Sequence, residues 1–154
     1  MTSSNLYHSP IGDIYIHAEN DKVTRVEFID DEYWNFSVNP GKLTDEVCNQ
    51  LAEYFAGNRR TFDLPLQLEG TDFRKKVWEE LCNIPYGEKV SYQDIAHKVN
   101  CENGWRAVGN ANHYNPIVII VPCHRVVKTD GSMGGYGGGI WRKEFLLRLE
   151  GLLK

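Results

Sequence analysis

Residues 117–121, with the sequence Ile-Val-Ile-Ile-Val, most constrain how this chain can fold. A continuous β-branched run is typical of a strand buried inside a sheet, and Pro122 directly after it cannot donate to a strand ladder. We therefore expect a buried strand that ends at Pro122. Cys123 then opens the following loop, in the kind of place where a rigid scaffold presents reactive side chains.

Cys123 and His124 form a candidate nucleophile and base. The thiolate is the nucleophilic form of cysteine, and a histidine oriented by a carboxylate can accept the thiol proton. Because neighbouring side chains diverge in extended backbone, we expect a water molecule to bridge the two residues, with Glu150 orienting the histidine. The structural alternative is a small buried cysteine, a satisfied histidine and a solvated carboxylate at a helix end.

The composition excludes several classes of protein. No run approaches the roughly 18 apolar residues that cross a bilayer, and 25% of the residues are charged. The N-terminal residues lack the segments of a secretory signal, which predicts free cysteines in the cytoplasm, or in the nucleus of a eukaryote. The four cysteines form no Cys-x-x-Cys pair and the five histidines have no metal-binding spacing, so we expect neither a metal nor another cofactor.

The two halves of the chain differ in charge and are separated by a polar stretch, residues 58–70. Residues 1–70 hold 5 basic and 12 acidic residues, a net charge of −7, whereas residues 71–154 hold 12 basic and 9 acidic residues, a net charge of +3. The second half therefore suits a phosphate backbone better, although ordinary solvated surfaces also differ this much. We predict two domains, 1–69 and 70–154.

The first half has the pattern of an antiparallel sheet closed by a helix. Residues 14–18 and 23–29 alternate apolar and polar side chains around a polar turn, which predicts a β-hairpin with one buried face. Thr44 is a candidate N-cap for an amphipathic helix whose apolar residues recur at helical spacing until Gly57.

The second half is predicted to be mainly helical. Helices are expected over 72–82 and 141–149, and two short helices, over 92–99 and 105–113, are joined by a tight turn in the manner of a helix-turn-helix. Two packed helices without a nucleic-acid role have the same spacing. A glycine-rich loop over 128–139 leaves its backbone amides unshielded, which suits a pocket for a flat ligand.

Six short motifs stand out in this half. In chain order they are Tyr86-Gly87-Glu88-Lys89-Val90-Ser91-Tyr92, Arg106-Ala107-Val108-Gly109, Asn115-Pro116, Pro122-Cys123-His124-Arg125-Val126-Val127, Tyr136-Gly137-Gly138 and Glu150-Gly151. Together they closely resemble the motifs of the O-6-alkylguanine-DNA alkyltransferases. Ser9-Pro10-Ile11-Gly12 and the hairpin after it are similar to the variable N-terminal domain of that family.

The resemblance implies an α+β fold. Its N-terminal part would be a ribonuclease-H-like α/β domain with an antiparallel sheet, and its C-terminal part a winged-helix-like helical domain with a helix-turn-helix. It also implies a reaction in which the damaged base is flipped out of double-stranded DNA and its methyl or alkyl group passes irreversibly to Cys123. The implied protein is a monomer that binds the minor groove without a cofactor or metal, and activity on O-4-alkylthymine is left open.

The resemblance implies three groups of site residues. The catalytic group comprises the acceptor Cys123, the water-mediated base His124, its orienting partner Glu150, and Tyr92, which donates a hydrogen bond to the leaving base. The DNA-binding group comprises Arg106, which fills the gap left by the flipped base, with Trp105, Ala107, Gly109 and Arg125. The substrate pocket comprises Val126, Tyr136, Gly137 and Asn115, and the last of these also supports the turn before the predicted strand.

Two positions depart from the family pattern. Trp105 stands where relatives often have a small residue, which leaves open whether it packs inward or stacks on DNA. Gly137 replaces a side chain, often serine, that adds a pocket contact in relatives.

Three other functions fit some of the same residues. A lesion-binding relative would bind alkylguanine without repairing it, but such proteins usually lack a cysteine at the position of Cys123. A thiol hydrolase would use Cys123, His124 and Glu150 in acyl transfer. A plain winged-helix regulator would not need Cys123 at all.

Overall fold

An antiparallel sheet and a helix packed on it form the first of two units into which the chain divides, Met1–Leu68 and Glu69–Lys154. The coordinates are a computed structural model, which describes residues 1–30 and 37–154. Each unit contains buried hydrophobic residues of its own.

The sheet of the first unit contains β1 (Thr2–Ser9), β2 (Gly12–Glu19) and β3 (Lys22–Ile29), in that order. The hairpin of β2 and β3 confirms the prediction from alternating residues, and Ile14 and Ile16 of β2 are buried on one face. The sequence does not predict β1, because most of its residues are polar. Its position is fixed by antiparallel pairing with β2 along its whole length.

The helix of the first unit, α1 (Lys42–Phe55), confirms the predicted amphipathic helix but begins earlier than expected. The N-cap is Gly41, so the prediction of Thr44 as N-cap is wrong. Thr44 is the third helical residue, and its hydroxyl accepts from the Gly41 N–H (2.9 Å) and donates to the Gly41 carbonyl (3.1 Å). A threonine at this position satisfies the helix start from inside the first turn, which sequence spacing alone does not distinguish from an N-cap.

The described helices of the second unit lie within one residue of their predicted ends. They are α2 (Asp72–Leu81), α3 (Tyr92–Lys98), α4 (Trp105–His113) and α5 (Ile140–Leu149), and two short parallel strands, β4 (Val90–Ser91) and β5 (Val126–Val127), pair with each other. No helix in the described part of the chain is long and apolar enough to cross a membrane.

The start of α3 is fixed by a capping box. The Ser91 hydroxyl accepts from the Asp94 N–H (3.0 Å), and the Asp94 carboxylate accepts from the Ser91 N–H (2.9 Å). These reciprocal bonds satisfy two backbone donors at the helix start. They also fix the position of Tyr92, the first residue of α3.

The strand predicted over residues 117–121 is wrong. The segment is apolar and largely buried, but it folds as a tight turn in which the Val121 N–H donates to the Ile117 carbonyl (3.0 Å) and Ile119 has a φ of 72°. The Asn115 amide satisfies both ends of the turn, accepting from the Ile117 N–H (3.0 Å) and donating to the Val121 carbonyl (2.8 Å). Because the backbone groups at both ends of the run are paired within the turn, the run is buried without forming a strand of its own.

Candidate active site

Cys123 begins a single 3-10 turn, Cys123–Arg125, that follows the buried turn and leads directly into β5. The cysteine is only 5% exposed. The Asn115 amide, which holds the preceding turn, also donates to the Cys123 sulfur at 3.3 Å. The residue that fixes the backbone before the thiol therefore also contacts the thiol itself.

Opposing effects act on the acidity of the Cys123 thiol. Burial raises its pKa, because the charged thiolate loses solvation. The hydrogen bond from Asn115 and the positive charge of Lys143 lower the pKa, because both favour the thiolate. The thiol is therefore neutral at rest, in surroundings that stabilise its anion.

Lys143 is the main site residue that sequence reasoning missed. It lies on α5 with its ammonium buried, and that group donates to the carbonyls of Val126 (2.6 Å) and Gly135 (3.1 Å). Burial lowers its pKa to about 8, whereas the nearby Cys123 raises it. The available signal was helical spacing, since Lys143 lies seven residues before Glu150 and so shares its face of the helix.

His124 and Glu150 form a buried pair. The His124 Nε2 lies 2.7 Å from Glu150 Oε2, and both side chains are inaccessible to solvent. An ionised carboxylate can only accept hydrogen bonds, so Nε2 carries the proton and Nδ1 presents its lone pair. Nδ1 is also buried and receives no hydrogen bond from any described residue. Nδ1 is therefore the nitrogen that can act as a base.

The charge state of His124 also depends on burial. Burial lowers its pKa, and the hydrogen bond and charge of Glu150 act in the opposite direction. The imidazole is consequently neutral at rest, as a base must be, and Glu150 stabilises the imidazolium that forms when it accepts a proton.

Arg125 is placed differently from the sequence-based expectation, which assigned it to DNA contact. Its side chain is buried, and its guanidinium binds both oxygens of Glu150, with Nε at 2.8 Å from Oε1 and Nη2 at 3.1 Å from Oε2. A further bond runs from Nη1 to the Ile84 carbonyl (2.7 Å). The expectation of DNA contact is corrected, because the guanidinium forms a bidentate ion pair with the Glu150 carboxylate. Arg125 therefore orients Glu150.

The end of α5 fixes the position of Glu150. Glu150 is the C-cap, and Gly151 after it has a φ of 82°. The Gly151 N–H donates to the Arg148 carbonyl and the Leu152 N–H to the Leu147 carbonyl, the two bonds of a Schellman motif. The Gly87 N–H donates to Glu150 Oε1 at 3.2 Å, so the carboxylate is fixed from several sides.

Tyr92 lies against the glycine-rich loop, and its hydroxyl donates to the Gly135 carbonyl at 3.4 Å. Gly134 has a φ of 72°, and a Cβ there would come within 2.8 Å of that hydroxyl, so only glycine fits. Burial, followed by the nearby Cys123, raises the pKa of Tyr92, which therefore remains a proton donor. The loop and the start of α3 together position the phenol near the thiol.

A cavity of about 900 Å³ lies over Cys123 and Tyr92, both of which line it. It is lined by Tyr92, Trp105, Arg106, Gly109, Asn112, His113, Cys123, Lys128, Thr129, Asp130, Gly134, Gly135, Tyr136 and Gly137. Of the predicted pocket residues, Tyr136 and Gly137 line it, whereas Val126 and Asn115 are buried and are not among its lining residues. Asn112 and His113 also line it and were not predicted.

The predicted DNA-binding residues of α4 lie on one exposed stretch. Trp105, Arg106 and Ala107 are exposed, and Gly109 is half-buried. The Arg106 guanidinium lies 5.0 Å from the centre of the Trp105 ring. Trp105 is 48% exposed at the cavity rim, which decides against inward packing and leaves its ring available for stacking.

The arrangement is suited to nucleophilic chemistry by a thiolate. Within residues 1–30 and 37–154, no group of three or more His, Cys, Asp or Glu side chains could hold a metal ion. A thiol with anion-stabilising neighbours and a neutral, oriented imidazole can generate a thiolate from protein groups alone.

Comparisons with known proteins point to one family. Residues 4–68 match the family model described as "6-O-methylguanine DNA methyltransferase, ribonuclease-like domain". Residues 72–152 match the model described as "6-O-methylguanine DNA methyltransferase, DNA binding domain". Over 153 residues the chain is 42% identical to a methylated-DNA–protein-cysteine methyltransferase of Methanosarcina barkeri, covering 95% of each chain.

Solved structures agree with the sequence matches. The crystal structure of Mycobacterium tuberculosis O6-methylguanine methyltransferase has a TM-score of 0.88 and 42% identity, covering 97% of this chain and 93% of that one. A crystal structure of the M. tuberculosis protein in complex with DNA has a TM-score of 0.88 and 41% identity, covering 96% and 91%. These matches confirm the predicted α+β class, with a ribonuclease-like N-terminal domain and a helical C-terminal domain.

Proposed function

The chain belongs to the 6-O-methylguanine DNA methyltransferase family, and on that premise we propose how its residues repair 6-O-methylguanine in DNA. It is a DNA-binding repair enzyme that transfers the methyl group to one of its own cysteines. The proposal assigns the acceptor role to Cys123 and the supporting roles to the residues around it.

The first step is removal of the thiol proton. A water molecule between Cys123 and His124 passes the proton to Nδ1, whose lone pair is left open by the Nε2–Glu150 bond. Glu150 stabilises the resulting imidazolium, while Asn115 and Lys143 stabilise the thiolate. The buried Nδ1 of His124, which bonds none of the described residues and belongs to the residue next to Cys123, is the observation that carries this assignment.

The second step is alkyl transfer. The thiolate sulfur attacks the methyl carbon, a sulfur–carbon bond forms, and the carbon–oxygen bond breaks with its electron pair moving onto the base. Tyr92 donates a hydrogen bond to a ring nitrogen where negative charge develops, and the base takes up one proton to become guanine. Overall, a thiol and a methylated base become a thioether and guanine. Because regeneration of the cysteine would require a thiolate to leave from the methyl carbon of a stable thioether, each chain reacts once.

The cavity and α4 indicate how DNA presents the lesion. A base inside a duplex cannot reach a buried sulfur, so the base is flipped into the cavity lined by Tyr92, Tyr136 and Gly137. Arg106 fills the vacated space from the minor groove, with Trp105 beside it stacking at the rim and Ala107 and Gly109 allowing close approach. The protein acts as a monomer, because no step requires a second chain.

A lesion-binding protein without repair activity is the second candidate function. The cysteine at position 123, together with the groups that favour its anion, distinguishes the two candidates because a lesion sensor needs no nucleophile. An acceptor thiol also requires a reducing compartment, which supports a location in the cytoplasm, or in the nucleus of a eukaryote.

Stoichiometry tests the proposed function. A fixed amount of protein is incubated with increasing excess of duplex containing 6-O-methylguanine, and the restored guanine is measured. We expect at most one guanine per chain, however long the incubation. Continued release of product beyond one equivalent would indicate a turnover enzyme such as a hydrolase, and no restored guanine despite binding would indicate a lesion sensor.

A further inference from the structure

Asn112 has an unusual position on the wall of the cavity. It lies near the end of α4 among the cavity-lining residues. Both polar atoms of its side chain, Oδ1 and Nδ2, are buried, and neither forms a hydrogen bond with any described residue. Burying an amide without a partner is unfavourable by about 1–3 kcal/mol, so such a group normally has a partner in the functional state.

A side-chain amide offers one donor beside one acceptor. It pairs best with a ligand edge that presents an acceptor next to a donor. On 6-O-methylguanine, alkylation leaves ring nitrogen N1 without its hydrogen, so N1 is an acceptor beside the donor 2-amino group. Ring nitrogen N3, on the other side of that amine, is also an acceptor. If N1 bonds a side-chain amide, N3 remains for the Tyr92 hydroxyl.

We propose that Asn112 reads the lesion, with Nδ2 donating to N1 and Oδ1 accepting from the 2-amino group of the flipped base. This inference rests on the proposed function, and it adds a specificity-determining residue to it. The 2-amino group has two hydrogens, so one can bond Asn112 while the other bonds a backbone carbonyl of the site.

The same contact discriminates against undamaged guanine. In guanine N1 carries a hydrogen and is a donor, so it would face the Nδ2 donor of Asn112. Two opposed donors in a buried site leave both unpaired, which disfavours binding of the normal base. Asn112 would therefore detect the alkyl group through its effect on N1. This discrimination adds to that of the reaction at Cys123, which itself needs an alkyl group to transfer.

The test compares two lesions that differ only in the amine. Methyl transfer to Cys123 is followed in single turnovers with saturating protein, using duplexes that carry either 6-O-methylguanine or 6-methoxypurine. We divide the rate with 6-O-methylguanine by the rate with 6-methoxypurine and expect this ratio to fall about tenfold in Asn112→Leu, which corresponds to about 1.4 kcal/mol. Leucine has nearly the same shape as asparagine but no amide. Asn112→Ala serves as a second variant in case the leucine variant folds poorly, and it should lower the ratio similarly.

Asn110→Leu is the matched control. Asn110 is exposed on the same helix, binds Arg74 (3.2 Å), and is not among the residues that line the cavity. The control should keep the wild-type ratio, since any change in DNA affinity cancels between the two duplexes. Asn112→Leu should also be at least as stable as wild type in thermal unfolding, because a merely structural amide would lose stability.

The outcomes separate the inference from its premise. An unchanged ratio in both Asn112 variants would overturn the role of Asn112 while leaving alkyl transfer intact. Absence of methyl transfer by the wild-type protein to either duplex would instead overturn the proposed function itself.

Discussion

Different residues around the sulfur stabilise the two ions that form when the thiol loses its proton. Burial alone would keep both the Cys123 thiol and the His124 imidazole neutral, because each loses solvation when charged. Neighbours compensate the charges that appear on proton transfer, with Lys143 serving the anion and Glu150 the cation. The thiol and the imidazole are therefore both neutral at rest, with charged neighbours already in place for the ions that form, and two substitutions test this division.

Substitution of Lys143 by methionine should raise the pKa of the Cys123 thiol. The buried ammonium favours the thiolate, so its loss removes a stabilising charge. We expect the pH midpoint of single-turnover methyl transfer to move up by about one unit and the rate at neutral pH to fall about tenfold. Lys76→Met, which removes an exposed lysine on α2, should leave the midpoint unchanged. Equal midpoints in Lys143→Met and wild type would contradict the role given to this charge.

Substitution of His124 by glutamine should reduce the loss of unfolding free energy that occurs as the pH is lowered. The folded-state pKa of His124 is below its ordinary value of 6.5, so below that pH the unfolded chain binds more protons than the folded one. The free energy of unfolding therefore falls as the pH drops, by a contribution that His124→Gln lacks. Urea unfolding of both proteins between about pH 5 and 8 measures the difference. Parallel curves would show that His124 is not a buried neutral base.

At the scale of secondary structure, the ends of helices position the chemistry. The start of α3 presents Tyr92, and the end of α5 presents Glu150 beside His124. We therefore expect the Schellman motif at Gly151 to contribute both to stability and to the alignment of His124, the proposed base. A similar glycine, Gly57 at the end of α1, contributes only to stability.

Gly151→Ala and Gly57→Ala separate these contributions. Both glycines have φ near 80°, and a Cβ at either would meet nothing within 4 Å, so the substitution introduces backbone strain alone. Each should lower the free energy of unfolding by about 1–2 kcal/mol, measured by urea titration. Only Gly151→Ala should also slow single-turnover methyl transfer, because only that strain displaces Glu150. Equal rates in the two variants would mean that the helix end does not align the base.

The predictability of the structure also differs by element. The hairpin, α1 and the four helices of the second unit could be predicted, because apolar periodicity and caps are local signals. Residues 117–121 could not, because a short buried run reads the same as strand or turn until the Asn115 side chain is seen to satisfy both ends. β1 carries little local signal and depends on its pairing with β2.

The candidate site was predictable to a similar degree. The motifs indicated Cys123, His124 and Glu150, and the structure brings His124 and Glu150 into contact. They did not indicate that Arg125 turns inward to Glu150, since a guanidinium serves a carboxylate or a phosphate equally well. The contributions of Lys143 and Asn112 depend on burial and on missing partners, which only the folded chain shows.

At the scale of the whole molecule, the uneven charge bears on DNA binding. The chain has a net charge of −4, but residues 71–154 carry an excess of three basic residues, 12 against 9. A modest excess of this kind supports sequence-independent contact with phosphates and cannot supply tight recognition of one site.

DNA affinity should therefore depend strongly on salt and weakly on sequence. We expect the logarithm of the binding constant for unmodified duplexes to fall linearly with the logarithm of salt concentration, because each phosphate contact releases about 0.9 counterion. Fluorescence anisotropy with several unrelated duplexes measures both properties. A preference for one undamaged sequence would favour a regulator over a repair protein.

Intact mass is the most direct test of the central claim, that Cys123 accepts the alkyl group. The wild-type protein and Cys123→Ser are each incubated with a duplex containing 6-O-methylguanine, and the products are weighed and mapped by peptide. We expect a single gain of about 14 mass units in the wild type alone, located at Cys123. A wild type that binds the duplex but keeps its mass, or a gain that persists in Cys123→Ser, would contradict the account.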